Sequence, residues 1–169
     1  MKIRFLIIFC LFIVNNCVSQ TYISIAPSIT NSPGTFAEKA NFALEVGRQW
    51  EVFSMGLDLG KTSLGPMNGK DTSVYVELRP NLNIFQQGKF TNTFTAGIGY
   101  IFNSTQNLMT ELTYGIEYAY TDKIHFNMYF GQYYYSGRTD ASSVTFFGIS
   151  AMFYFSSSSS KSLIVNPKK

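Results

Sequence analysis

Beyond residue 20 the apolar side chains recur at every second position, with no convincing helical period. Period two is the signature of a strand whose successive side chains point to opposite faces. The clearest instance is residues 144–155. Thr145, Phe147, Ile149, Ala151, Phe153 and Phe155 share one uncharged face, and Val144, Phe146, Gly148, Ser150, Met152 and Tyr154 share the other. A tilted strand of about ten residues is long enough to cross the hydrocarbon of a bilayer. The segment therefore reads as the closing strand of a transmembrane β-barrel.

Seven earlier segments repeat the pattern. Over residues 21–30, Ile23, Ile25 and Ile29 alternate with small or polar residues, and Pro27 is tolerable there at a strand end or bulge. Residues 41–50 set Phe42, Leu44 and Val46 against Ala43, Glu45 and Gly47, and residues 53–60 set Met55, Leu57 and Leu59 against Ser54, Gly56 and Asp58. The alternation returns over 74–84, 90–100, 111–120 and 124–135. Residues 31–40, 61–71, 103–107 and 136–142 read as longer loops, and the stretches around 49–52, 86–89 and 121–123 as tight turns. The prediction is an all-β, eight-stranded antiparallel up-and-down barrel, with short turns at one end and longer loops at the other. Eight strands leave a bore just wide enough for side chains to fill.

Alternation alone does not say which face is inside. A soluble, lipocalin-like barrel would turn its apolar rows inward around a ligand and its polar rows toward water. Only 14% of the residues are charged, whereas 17% are aromatic. Soluble domains average roughly 25% charged residues. The polar rows consist of Gly, Ser, Thr, Ala and Asn with scattered charges, too few for a wall facing water. The apolar rows carry no charge between their ends, as hydrocarbon requires, since a lipid-facing Arg or Lys at mid-depth costs about 2–4 kcal/mol. The apolar rows are expected to face lipid. Closure follows, because an open sheet edge in lipid leaves backbone groups unpaired.

The two ends of the chain have their own composition. Lys2 and Arg4 precede an apolar run from Phe5 to Val14, then Asn15, Asn16 and the small-residue stretch Cys17-Val18-Ser19. That is the layout of a secretory signal cleaved before Gln20, and the run is too short for a membrane-spanning helix. Cys17 also admits a lipidated-cysteine reading, against which Asn16 stands where Gly, Ala or Ser is wanted. With the signal go both cysteines, Cys10 and Cys17, and with them any disulfide or thiolate metal site. Two of the three net positive charges leave as well, and no Lys/Arg stripe remains to suggest nucleic acid. Residues 156–169, rich in serine and ending in Lys168 and Lys169, read as a disordered tail. The expected organisation is a signal over 1–19, a barrel over 20–155 and the tail over 156–169.

With the polar rows inside, Glu45, Asp58, Glu77, Arg79, Glu111, Glu117 and His125 fall on the lumen face. An unpaired buried charge is costly, so Arg79 is expected to meet a carboxylate: Glu77 two residues away, or Glu45 or Glu117 across the lumen. Such a network either makes the barrel watertight or gates a narrow pore. If the chain starts on the periplasmic side, Trp50, Phe85, Phe90, Tyr120 and Phe155 collect at one rim as an aromatic girdle.

On this architecture residues 20–155 resemble the small eight-stranded outer-membrane barrels, the group that includes the OmpA transmembrane domain and OmpX-like proteins. The resemblance implies a Gram-negative outer membrane, with the N- and C-termini periplasmic. It also makes the strand ending at Phe155 look like the signal read by the outer-membrane assembly machinery, although Ser156 to Lys169 follow it here. A structural or surface-interaction role is the first expectation, and a narrow pore for ions or small solutes the alternative. Some barrels of this group modify lipid A with a His and Ser pair. Here His125-Phe126-Asn127 has Asn where such a motif has Ser, and the strand count puts His125 at the periplasmic end. Neither catalysis nor a cofactor is expected. No metal is expected either, since the single His has no close partner. Asn103-Ser104-Thr105 matches a glycosylation sequon by chance, and the longer loops are where partner contacts would sit.

Overall fold

Eight strands follow one another along the chain: β1 (Ser19–Ser32), β2 (Thr35–Trp50), β3 (Phe53–Thr62), β4 (Ser73–Gln87), β5 (Phe90–Ile101), β6 (Leu108–Ala119), β7 (Ile124–Ser136) and β8 (Ala141–Tyr154). They belong to a computed structural model that describes residues 19–32, 35–62, 73–102, 106–137 and 141–155. The signal expected over 1–19, apart from Ser19, lies outside the described residues, as do the tail over 156–169 and parts of the longer loops.

Each strand pairs antiparallel with its neighbour in sequence, and β8 returns to β1 to close the barrel. The closing seam runs from Tyr22 opposite Tyr154 to Asn31 opposite Thr145. Within β2 and β3, Phe42, Leu44, Val46, Leu57 and Leu59 are exposed, whereas Ala43, Glu45, Gly47, Asp58 and Gly60 are buried. The same alternation holds on every strand, so the apolar rows are the outer wall. A soluble protein hides most of its aliphatic side chains; this one exposes rows of Ile, Leu and Val and buries several carboxylates and hydroxyls. Among the outward rows with described side chains, the charges are Arg48 and Lys61, toward opposite ends of the wall.

The tight turns, the start of β1 and the end of β8 share one end of the barrel. Glu51 and Val52 join β2 to β3, and Gly88 and Lys89 join β4 to β5. Gly88 has φ 60°, a left-handed conformation that a side chain would penalise. In the third turn the Thr121 hydroxyl accepts the backbone N–H groups of Lys123 (3.2 Å) and Ile124 (3.0 Å).

Two expectations are corrected. Most of the loop predicted over 31–40 is strand, since β1 runs to Ser32 and β2 begins at Thr35. Strands here reach 16 residues, beyond the roughly ten that cross hydrocarbon. Past the apolar belt both faces can meet water, so the ladder continues while the alternation that betrays it stops. Pro27, tolerable at a strand end or bulge and a mild warning against a strand elsewhere, stands inside β1 with no register shift beside it. Instead the β1–β8 pairing lapses between Ile25 opposite Ala151 and Ser28 opposite Gly148, where proline has no N–H to give.

Candidate functional site

The lumen is built in layers set by register. In the middle, Glu45 on β2 lies across from Asp58 on β3, which lies across from Glu77 on β4. Arg79 is the next inward residue on β4 and lies across from Gly56 on β3. Glu111 on β6 faces Gly97 on β5. A side chain at Gly56 would overlap Glu45, and one at Gly97 would overlap Glu77. The two glycines clear the space in which the charged groups meet.

Arg79 is the hub. Its Nε donates to Glu111 Oε2 at 2.9 Å and its Nη2 to Glu111 Oε1 at 2.8 Å, while Nη1 donates to Glu45 Oε2 at 2.6 Å. A planar guanidinium suits this forked grip. Glu45 also accepts the Tyr22 hydroxyl, and Glu111 accepts the Thr113 hydroxyl at 2.5 Å. Tyr75 donates to Asp58 Oδ2 at 3.0 Å. By contrast, Asp58 Oδ1 and both oxygens of Glu77 have no hydrogen-bond partner among the described residues. Four carboxyl groups therefore crowd one guanidinium, and Glu77, 1% exposed, is the one left over.

Of the partners expected for Arg79, the structure places Glu45 in contact and leaves Glu77 and Glu117 out of its hydrogen bonds. Glu117 instead meets His125 Nδ1 at 2.5 Å, which corrects the expectation that the histidine has no close partner. The His125 ring packs 4.6 Å from that of Tyr154, whose hydroxyl donates to Gln49 at 2.5 Å. Between this cluster and Arg79 lies a polar hollow of about 30 Å³, bordered by Asn81, Glu117, Asn127 and Ser150 among others. It has room for a water molecule or two. Among the described residues no group of three or more His, Cys, Asp or Glu is placed to hold a metal ion.

Toward the other end the lumen changes character. Ile101 and Met109 are fully buried, and Phe146 stacks on Tyr133 with ring centres 4.1 Å apart. Tyr75, Tyr129 and Tyr135 complete an aromatic and aliphatic filling. On the outside, the turn end carries Trp50 stacked on Phe53 (5.8 Å), with Phe90 tilted against Tyr118 (5.0 Å) and Tyr120 against Phe126 (6.2 Å), and with Phe85 and Phe155 exposed.

The sequence reading missed how the tyrosines are seated. Tyr22 lies across from Gly47, Tyr75 from Gly60 and Tyr129 from Gly148, and in each pair the ring covers the glycine, where a Cβ would overlap it. The alternation marked all six as inward; only register pairs them. Glu111 was likewise legible as inward but not as the main partner of Arg79.

A closed eight-stranded antiparallel barrel with an apolar outer wall is a fold shared with small outer-membrane barrels of known structure. Neisserial surface protein A (NspA) superposes with a TM-score of 0.55 at 11% identity over 80% of this chain and 95% of its own. Outer membrane protein H (OprH) of P. aeruginosa gives 0.60 at 12% identity, over 80% of this chain and 99% of that one. The N-terminal β-barrel domain of Pseudomonas aeruginosa OprF gives 0.53 at 14%, over 80% and 100%. At such identities the likeness is one of fold. No protein-family model matches the sequence, and no curated protein does.

Proposed function

We propose that the chain is an integral outer-membrane protein of a Gram-negative bacterium, a sealed barrel with a structural or surface-interaction role. The observation that carries this reading is the outer wall. Leu57, Leu78, Ile98, Leu112, Met128 and Ile149 are exposed on successive strands, in rows whose described charges are Arg48 and Lys61. In water a patch this large would drive association; hydrocarbon accepts it. The short turns support a periplasmic position for that end and for both termini of the barrel. Targeting by residues 1–19 and insertion through the strand that ends at Phe155 belong to the same reading. The test is fractionation with a carbonate wash, followed by gel mobility with and without heating. Retention in the membrane and a heat-dependent shift are expected; release by the wash would sink the proposal.

A narrow pore is the alternative, favoured by the polar hollow beside Arg79. Against it stand Ile101, Met109 and Phe146, which fill the opposite half of the lumen. Planar bilayers separate the two: silence from folded protein supports the sealed barrel, and steady openings altered by Arg79→Ala establish the pore. A lipid-modifying enzyme is the third reading. His125 is engaged by Glu117 near the short turns, which the proposed orientation puts away from the leaflet that holds lipid A, so unchanged lipid A in a deletion strain is expected.

A further inference from the structure

The outer wall is not uniform. Across the outer faces of β1, β8, β7, β6 and β5 runs an open apolar groove of about 590 Å³, whose lining includes Ile25, Pro27, Phe126, Ile149, Ala151 and Phe153. It has two local causes. Ala151 presents a methyl between the larger Ile149 and Phe153 of its own row, with Ile25 and Phe126 as its partners on the adjacent strands. Beside it, the β1–β8 pairing lapses at Pro27. The volume falls within the roughly 300–1,000 Å³ of clefts that hold small molecules.

The groove reaches the short-turn end, where Phe90 and Tyr118 line it. There the Lys89 ammonium stands 6.0 Å from the centre of the Tyr118 ring. Lys89 is the one charged residue in the Gln86-Gln87-Gly88-Lys89 stretch, whereas Lys123 shares its turn with Asp122. An apolar trough that ends in aromatic rings and a cation has the polarity profile of a phospholipid: chain, interfacial esters, then phosphate.

We propose that this groove retains one phospholipid with an anionic headgroup, an acyl chain lying over Ala151 and the headgroup at Lys89. The proposal rests on the membrane reading above. The test takes the full chain in an uncharged detergent, strips it of lipid, adds back phosphatidylglycerol or phosphatidylcholine, and counts retained lipid by native mass spectrometry. One phosphatidylglycerol per chain is expected, held at least tenfold more tightly than phosphatidylcholine. Ala151→Phe fills the trough and should weaken retention at least tenfold. Lys89→Gln, in an exposed turn, should remove the preference between the two lipids. Heat-dependent mobility monitors the fold of each variant, and if Ala151→Phe does not fold, Lys89→Gln decides alone. No retained lipid, equal retention of both by the native protein, or a preference that survives Lys89→Gln overturns the proposal. A native chain without heat-dependent mobility would bring down the membrane reading instead.

Discussion

Arg79 holds Glu111 by two parallel hydrogen bonds, 2.9 and 2.8 Å long, across the glycine-lined middle of the lumen. The remaining Nη1 reaches Glu45, so one guanidinium ties β4 to both β6 and β2. Arg79→Ala leaves two buried carboxylates without their cation and is expected to cost about 3–5 kcal/mol. Arg79→Lys keeps the charge but not the fork and should recover only part of the loss. Urea unfolding in lipid vesicles, followed by gel mobility, reads both. A native midpoint in the alanine variant would show that the network does not hold the barrel together.

Glu77 predicts the opposite sign. It is buried, lacks a hydrogen-bond partner and lies across from Asp58. A buried polar group left without a partner costs about 1–3 kcal/mol, a cost that an apolar side chain of similar volume does not carry. Glu77→Met is therefore expected to unfold at the same urea concentration as the native chain or a higher one. A drop comparable to that of Arg79→Ala would mean that Glu77 has a partner in the folded protein after all.

The seating of tyrosine on glycine is testable as a coupling. Gly60→Ala pushes a methyl into the Tyr75 ring and should cost about 1–3 kcal/mol. In a Tyr75→Ala background most of that penalty should vanish, which a double-mutant cycle measures. Strict additivity of the two changes would assign the glycine another purpose.

Leu57, 49% exposed and flanked by Val46 and Leu78, tests what lies outside the wall. In a bilayer Leu57→Arg is expected to cost about 2–4 kcal/mol, and Val52→Arg, in a turn, between about 0 and 1 kcal/mol. Equal tolerance at both positions would place the wall in water.

The strands and their faces were legible because a period of two survives any error in register. Ile149 points outward and Ser150 inward wherever β8 is paired. Contacts across the lumen were not legible, because they depend on the stagger between strands. Glu77 is two residues from Arg79 and Glu111 is thirty-two, yet the second is the partner. Register explains it: Leu78 opposite Ile98 and Asn81 opposite Thr95 bring Arg79 level with Gly97, and Gly97 faces Glu111. The extension of β2 back to Thr35 was hidden for a different reason, since beyond the apolar belt hydropathy no longer records backbone pairing.

The seam between Tyr22 and Tyr154 has a consequence for biogenesis. β1 must wait for β8, so no closed cylinder exists until the eighth strand has been made. Until then the apolar outer rows belong to no closed wall, and contacts this distant in sequence form slowly. Any truncation that removes β8 leaves two raw edges where the closed barrel has none.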